Sequence, residues 1–127
     1  NMSPEIRLTK PVLATLQDGK ILGIRAGVQP RRFTGVWVVV VNGRVFVRSW
    51  NDKPEGWRQA FREDPRGTIQ IPTREVRVRV RSVSGERLLK AIDLAYGEKY
   101  DTKASLKWVR GFARGRRRLT TTELLPR

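Results

Sequence analysis

The chain has 127 residues, room for one hydrophobic core and too few for two ordinary domains of about 100–150 residues each, so a single domain over residues 1–127 is expected. Hydrophobic residues make up 39% and include four Trp and four Phe, which excludes a wholly disordered chain. There is no Cys and no His, so disulfide frameworks, zinc and haem sites of the usual kinds, and Ser–His or Cys–His nucleophiles are excluded. Carboxylates, Lys, Arg, Tyr, Ser/Thr or a borrowed cofactor remain.

Charge lies at the other extreme, since 27 Lys+Arg against 12 Asp+Glu give a net charge of +15. Most of the cations are Arg, the side chain suited to bidentate capture of phosphate or carboxylate, and this points to nucleic acid, a phosphorylated cofactor or an acidic surface. A solvated arginine-rich surface is the competing reading. The longest apolar run, Val36-Trp37-Val38-Val39-Val40-Val41, is far shorter than the about 20 residues of a membrane span. No basic region followed by an apolar stretch opens the sequence, so a soluble cytoplasmic protein with no membrane partner is expected.

In chain order, Ser3-Pro4-Glu5 has the form of a helix start, with an N-cap, a first-turn Pro and a favourably placed acid. Leu13, Leu16 and Gln17 suggest a second helical turn ending at Asp18-Gly19, and Ile21, Leu22 and Ile24 a strand closing at Ala26-Gly27. Residues 36–50 read as a β-hairpin, because Asn42-Gly43 accepts the positive φ angles of a type I′ turn and β-branched residues fill both arms. The first arm is apolar on both faces. The second sets Val45, Val47 and Ser49 against Phe46, Arg48 and Trp50, an Arg between two aromatics.

Trp57, Ala60 and Phe61 predict a short amphipathic helix stopped by Pro65. Gly67 to Ile71 reads as a strand, Pro72-Thr73 as a turn, and Glu75 to Arg81 alternates three Val inward against Arg77, Arg79 and Arg81 outward. Ser84 is placed to cap the longest helix, whose stripe is Leu88, Leu89, Ile92, Ala95 and Tyr96. From Lys103 to Arg118 there are seven cations and no acid, compatible with helix or loop, and Leu119 to Leu125 regains strand character before Pro126. This order is α+β with a mostly antiparallel sheet suited to closing as a small barrel.

Neither Gly-rich phosphate-loop pattern occurs, acids are scattered without a catalytic pair, and no metal site is predicted. The chemistry-bearing region is the hairpin with its exit loop. Its order of strand, turn, strand ending in an aromatic–x–polar–Ser step, loop with Lys and short helix ending Asp64-Pro65 resembles the FMN-binding split barrels related to pyridoxamine-phosphate oxidase. More closely, the sequence resembles a small bacterial family of unknown function within that superfamily. The motifs are Arg32-Phe33-Thr34-Gly35-Val36-Trp37, Val47-Arg48-Ser49, Trp57, Ala95-Tyr96-Gly97-Glu98-Lys99-Tyr100 and Leu124-Leu125-Pro126-Arg127.

The resemblance implies a split β-barrel with flanking helices, a homodimer with ligand sites shared between subunits, and a flavin (FMN or a deazaflavin) in a redox role. It implies a cofactor site of Arg32, Thr34, Arg48, Ser49, Trp50, Lys53 and Trp57, in which Arg48, Ser49 and Lys53 serve the phosphate. Trp37 stands where flavin-binding relatives carry a Lys. No catalytic side chain is identified. Each residue also has an ordinary structural reading: Arg48 stacked on an exposed strand face, Trp37 in the barrel core, Trp57 as a helix-to-sheet anchor. The Lys103–Arg118 segment and the outward Arg77, Arg79 and Arg81 support the alternative, a nucleic-acid-binding or scaffold protein whose phosphate contacts are non-specific.

Overall fold

Asn42 and Gly43 take φ values of 52° and 75°, and this left-handed pair folds β2 (Thr34–Val41) onto β3 (Arg44–Val47) with Val38 opposite Val47 and Val41 opposite Arg44. A computed structural model describes residues 7–28 and 31–127; the helix start expected at Ser3-Pro4-Glu5 lies outside the described residues. Around the hairpin the other elements follow in order: α1 (Lys10–Asp18), β1 (Ile21–Ala26), α2 (Trp57–Glu63), β4 (Arg66–Ile71), β5 (Arg74–Ser82), α3 (Glu86–Lys99), a 3-10 turn (Lys103–Ser105), α4 (Leu106–Phe112), α5 (Gly115–Leu119) and β6 (Thr122–Pro126). The strands close in the order β1-β2-β3-β6-β5-β4, every pairing antiparallel. The expected α+β split barrel is the observed fold.

Strand alternation explains the two cores. Leu22, Ile24, Val36, Val38, Val45, Val47, Ile69, Ile71, Val78 and Leu124 form one buried cluster, joined by Leu8, by Val12 and Leu16 of α1, and by Trp57 and Phe61 of α2. Neighbouring residues on the opposite strand face, Val39 and Phe46, join Val83 and Leu89, Ile92, Tyr96 and Tyr100 in a second cluster under α3. β2 is apolar on both faces because it lies between these clusters. Gly67 lets α2 dock, since a Cβ there would sit 2.4 Å from the Arg25 carbonyl and 2.6 Å from the Phe61 ring.

Three boundaries differ from the sequence reading. β3 stops at Val47, so Arg48, Ser49 and Trp50 leave the sheet. The N-cap of α3 is Gly85 with no side-chain cap bond, rather than Ser84. Of the two conformations open to the basic segment the helical one is observed, and Leu119 ends α5 instead of opening the last strand. The outer arginine row is as expected on β5, yet Arg81 donates to Glu123, which is buried and also accepts from Arg44 Nε and Nη2, each at 2.9 Å. Burial pushes the Glu123 carboxyl up, but hydrogen bonds from Arg44 and Arg81 outweigh it and hold the group below its ordinary range.

The β5 faces give a stability test. Val78 is fully buried and Arg79 exposed, so Val78→Asp costs more than about 3 kcal/mol by urea unfolding, while Arg79→Glu costs about 0.5 kcal/mol or less. Equal losses would reject the assigned faces.

Candidate functional site

Past Val47 the chain turns beneath α3, and Arg48 is 1% exposed. Its Nε donates to Thr121 Oγ1 at 2.8 Å, Nη1 to Asp93 Oδ1 at 2.7 Å and the Phe112 carbonyl at 2.8 Å, and Nη2 to the Leu89 carbonyl at 3.3 Å. Asp93 also accepts from Arg118 Nε at 2.9 Å, and Arg118 reaches both oxygens of Glu86. These Arg118 hydrogen bonds hold the Glu86 carboxyl below its ordinary range. Tyr96 lies beneath the Arg48 guanidinium at 5.4 Å from its ring centroid. Burial pushes its phenol strongly up, against the pull of the Arg48 charge, so it stays protonated.

Ser49 and Asp52 shape the next step. The Ser49 amide donates to Thr120 Oγ1, and the Ser49 hydroxyl accepts from the Asp52 amide. Asp52 sits at φ 48° and accepts from Arg58 at 2.8 Å and Gln59 at 3.1 Å, which ties this loop to α2. Lys53 follows, exposed; its carbonyl accepts from the Gly56 amide, and its ammonium has no hydrogen-bond or ion-pair partner among the described residues.

Aromatic rings build the walls. Trp50 meets Trp108 edge-on at 4.6 Å and Phe112 at 5.2 Å, while the Arg117 guanidinium covers it at 3.6 Å. Gly111 makes this approach feasible, because a Cβ there would lie 2.4 Å from the Trp50 ring. Trp37 is stacked on Tyr100 at 3.9 Å and 3°. Tyr100 is fixed in turn by its hydroxyl, which accepts from the Val38 amide and donates to the Lys20 carbonyl, and burial pushes its phenol up to about 12. The neighbouring Lys99 donates to the Leu16 and Val38 carbonyls; burial first, and Lys20 second, push its amine down to about 8.

Together these groups enclose a cleft of about 590 Å³ whose lining includes Trp37, Trp50, Trp57, Trp108 and Phe112 beside Thr34, Ser49, Asn51, Asp52 and Lys53. Six of the seven residues expected at the site (Thr34, Arg48, Ser49, Trp50, Lys53 and Trp57) border it, and Arg32 does not. Arg48 lies at the cleft with its guanidinium directed into protein partners, so neither free phosphate donation nor stacking on an exposed strand face describes it. Trp57 both lines the cleft and anchors α2 in the barrel core. Trp108 and Phe112 were not anticipated; their i, i+4 spacing inside the basic segment is the signal that places them on one helix face. Among the described residues no group of His, Cys, Asp and Glu is arranged to hold a metal ion, and no helix is long and apolar enough to cross a membrane.

The chain belongs to a family of uncharacterised proteins conserved in bacteria (DUF2255), whose model matches residues 12–124. No curated protein matches it. Among solved structures it is similar to HutZ, the haem storage protein of Vibrio cholerae, with a TM-score of 0.66 and 15% identity over 96% of this chain and 92% of that one. It is similar to the conserved hypothetical protein Rv2991 of Mycobacterium tuberculosis, with a TM-score of 0.61 and 13% identity over 98% of this chain and 82% of that one. A putative pyridoxamine 5′-phosphate oxidase of Listeria innocua matches with a TM-score of 0.57 and 12% identity over 90% of this chain and 87% of that one. At such identities the likeness establishes the split-barrel fold.

Two outcomes test this geometry. Asp93→Ala strands the buried Arg48 charge and costs about 3–5 kcal/mol by urea unfolding, whereas Arg48→Met leaves Asp93 paired with Arg118 and costs less. The reverse order would show that Arg48 does not depend on Asp93. Gly111→Ala drives a methyl into the Trp50 ring, so near-ultraviolet circular dichroism of the Trp bands changes while the far-ultraviolet spectrum is retained; unchanged Trp bands would mean that Trp50 is not held there.

Proposed function

We propose that the Trp-lined cleft binds a flat, phosphorylated aromatic cofactor, FMN or a related flavin or deazaflavin. The observation that carries this reading is that several indole rings and one unpartnered cation, Lys53, line the same cleft. Aromatic rings stack on indole faces, and an ammonium answers a phosphate dianion with charge-assisted hydrogen bonds. The residues present fit such a group: Trp37, Trp50 and Trp57 for the ring, Lys53 for the phosphate, and the hydroxyls of Ser49 and Thr34 to complete it. Arg48 acts as a positioning residue, since it holds the Phe112 carbonyl and the exit of β3 in place. When bound, the flavin supplies hydride or electron transfer, and the protein supplies position and electrostatics. The proposal includes a homodimer that covers the open side of the cleft, where Trp108 stands 38% exposed.

Haem is a poorer fit. Among the described residues the lining contains no His, Cys, Met or Tyr, the side chains that hold haem iron. The polyanion alternative also loses part of its basis, because Arg117 is stacked on Trp50 and Arg118 is paired with Glu86 and Asp93.

Titration with FMN should quench the Trp fluorescence saturably. Lys53→Ala weakens FMN by about tenfold, the lower end of the 1.5–3 kcal/mol expected of a charged hydrogen bond, and leaves riboflavin, which lacks the phosphate, unaffected. Absence of quenching would overturn the flavin reading, and riboflavin binding as tightly as FMN would remove Lys53 from the phosphate role.

A further inference from the structure

Behind the loop that carries Trp50 lies a second cleft, of about 600 Å³, lined by Ser49–Asp52 on one side and by Arg114, Gly115, Arg116, Arg117 and Thr120 on the other. The two clefts share Ser49, Trp50, Asn51 and Asp52 as a common wall. Three arginines line it, in two different states. Arg117 is fixed, with its plane over Trp50 and its Nε donating to the Trp50 carbonyl at 2.9 Å. Arg114 and Arg116 are exposed and engage no partner among the described residues. The single acid in the lining among the described residues, Asp52, is paired with Arg58 and accepts a hydrogen bond from Gln59, both of α2. Thr120 spends its hydroxyl on the Arg117 carbonyl and the Ser49 amide. The cleft therefore offers unspent positive charge and little else that is polar and free.

We propose that this cleft binds a small phosphate-bearing molecule, a phosphate or diphosphate ester, between Arg114 and Arg116. Planar guanidiniums grip phosphate oxygens in pairs, and two arginines lining one small cleft with no free carboxylate among the described residues leave an anion as the ligand that offsets their mutual repulsion. The cleft has the size of a small-ligand site, about 300–1,000 Å³, rather than the extended track of cations that a nucleic-acid strand follows. Lys103, Lys107 and Arg110, the other cations of the segment, do not line it. Its position across Trp50 from the first cleft makes the ligand a second substrate or electron acceptor beside the cofactor. That role rests on the flavin reading; the anion binding does not.

Sodium pyrophosphate is the probe, titrated calorimetrically at an ionic strength held at about 0.15 M so that diffuse surface attraction is screened. The wild-type chain should bind it saturably, one per chain, and Arg114→Ser/Arg116→Ser should weaken it at least about tenfold while leaving the FMN titration unchanged. A control pair on the barrel strand, Arg77→Ser/Arg79→Ser, should leave pyrophosphate binding as in wild type. Non-saturable binding, or equal loss in both double variants, would overturn the site as a response to net charge. Loss of FMN binding in Arg114→Ser/Arg116→Ser would also overturn it, by assigning these arginines to the cofactor's own phosphate. An oligouridylate that binds more tightly than pyrophosphate and is weakened by both double variants would assign the surface to a polyanion instead. If pyrophosphate binds and FMN does not, this site stands and the flavin reading falls; the converse result rejects the site and keeps the cofactor.

Discussion

A guanidinium removed from water at the exit of β3 organises the site end of this molecule. Taking such a charge out of solvent costs several kcal/mol, recovered only when a carboxylate and further acceptors meet it with good geometry. Arg48 finds Asp93 on α3, Thr121 just before β6, and the carbonyls of Leu89 and Phe112. It thereby ties α3 and α4, which no strand pairing reaches, to the exit of β3 and the start of β6. Because the Phe112 carbonyl is one of its acceptors, the same interaction sets where α4 ends. The end of α4 in turn fixes the Gly111 backbone against which Trp50 lies.

A comparable logic explains the Ala95-Tyr96-Gly97-Glu98-Lys99-Tyr100 motif. Tyr96 packs against Phe112 and the Arg48 guanidinium, Lys99 satisfies two carbonyls at the junction of α1 and β2, and Tyr100 stacks on Trp37 while it bonds the Val38 backbone. Three side chains at the end of one helix thus orient one wall of the cleft and lock α3 against the barrel. None of them lines the cleft. They act through Trp37 and Phe112, which do.

The net charge of +15 divides into two populations once partners are known. Arg44, Arg81, Arg48, Arg118 and Arg117 are engaged in buried or half-buried pairs and stacks that join elements far apart in sequence, and Arg58 is engaged locally by Asp52. Arg77, Arg79, Arg114 and Arg116 are exposed. Exposed charges more than about 8–10 Å from an anion are screened by physiological salt, so function resides where a few of them converge on a concave surface.

Patterns local to the chain were legible in the sequence. Asn42-Gly43, the Val/Arg alternation of β5 and the apolar stripe of α3 each fix a conformation or a buried face through interactions between residues a few positions apart, and from these the element order and an antiparallel barrel followed. The resemblance carried by short motifs gathered six of the seven expected site residues, because residues at one strand exit and its loop remain neighbours in space. What lay beyond reach was partner choice across long separations. Whether Arg48 faces solvent, a phosphate or Asp93 depends on a helix that begins 38 residues later, and Trp108 and Phe112 become cleft walls only when α4 folds back against Trp50. The sequence alone determined which faces are apolar and where the chain turns, since those follow from local stereochemistry and periodicity; the tertiary structure alone decided which charges are spent and which stay free, since a charge is satisfied by whatever the fold brings within hydrogen-bond distance.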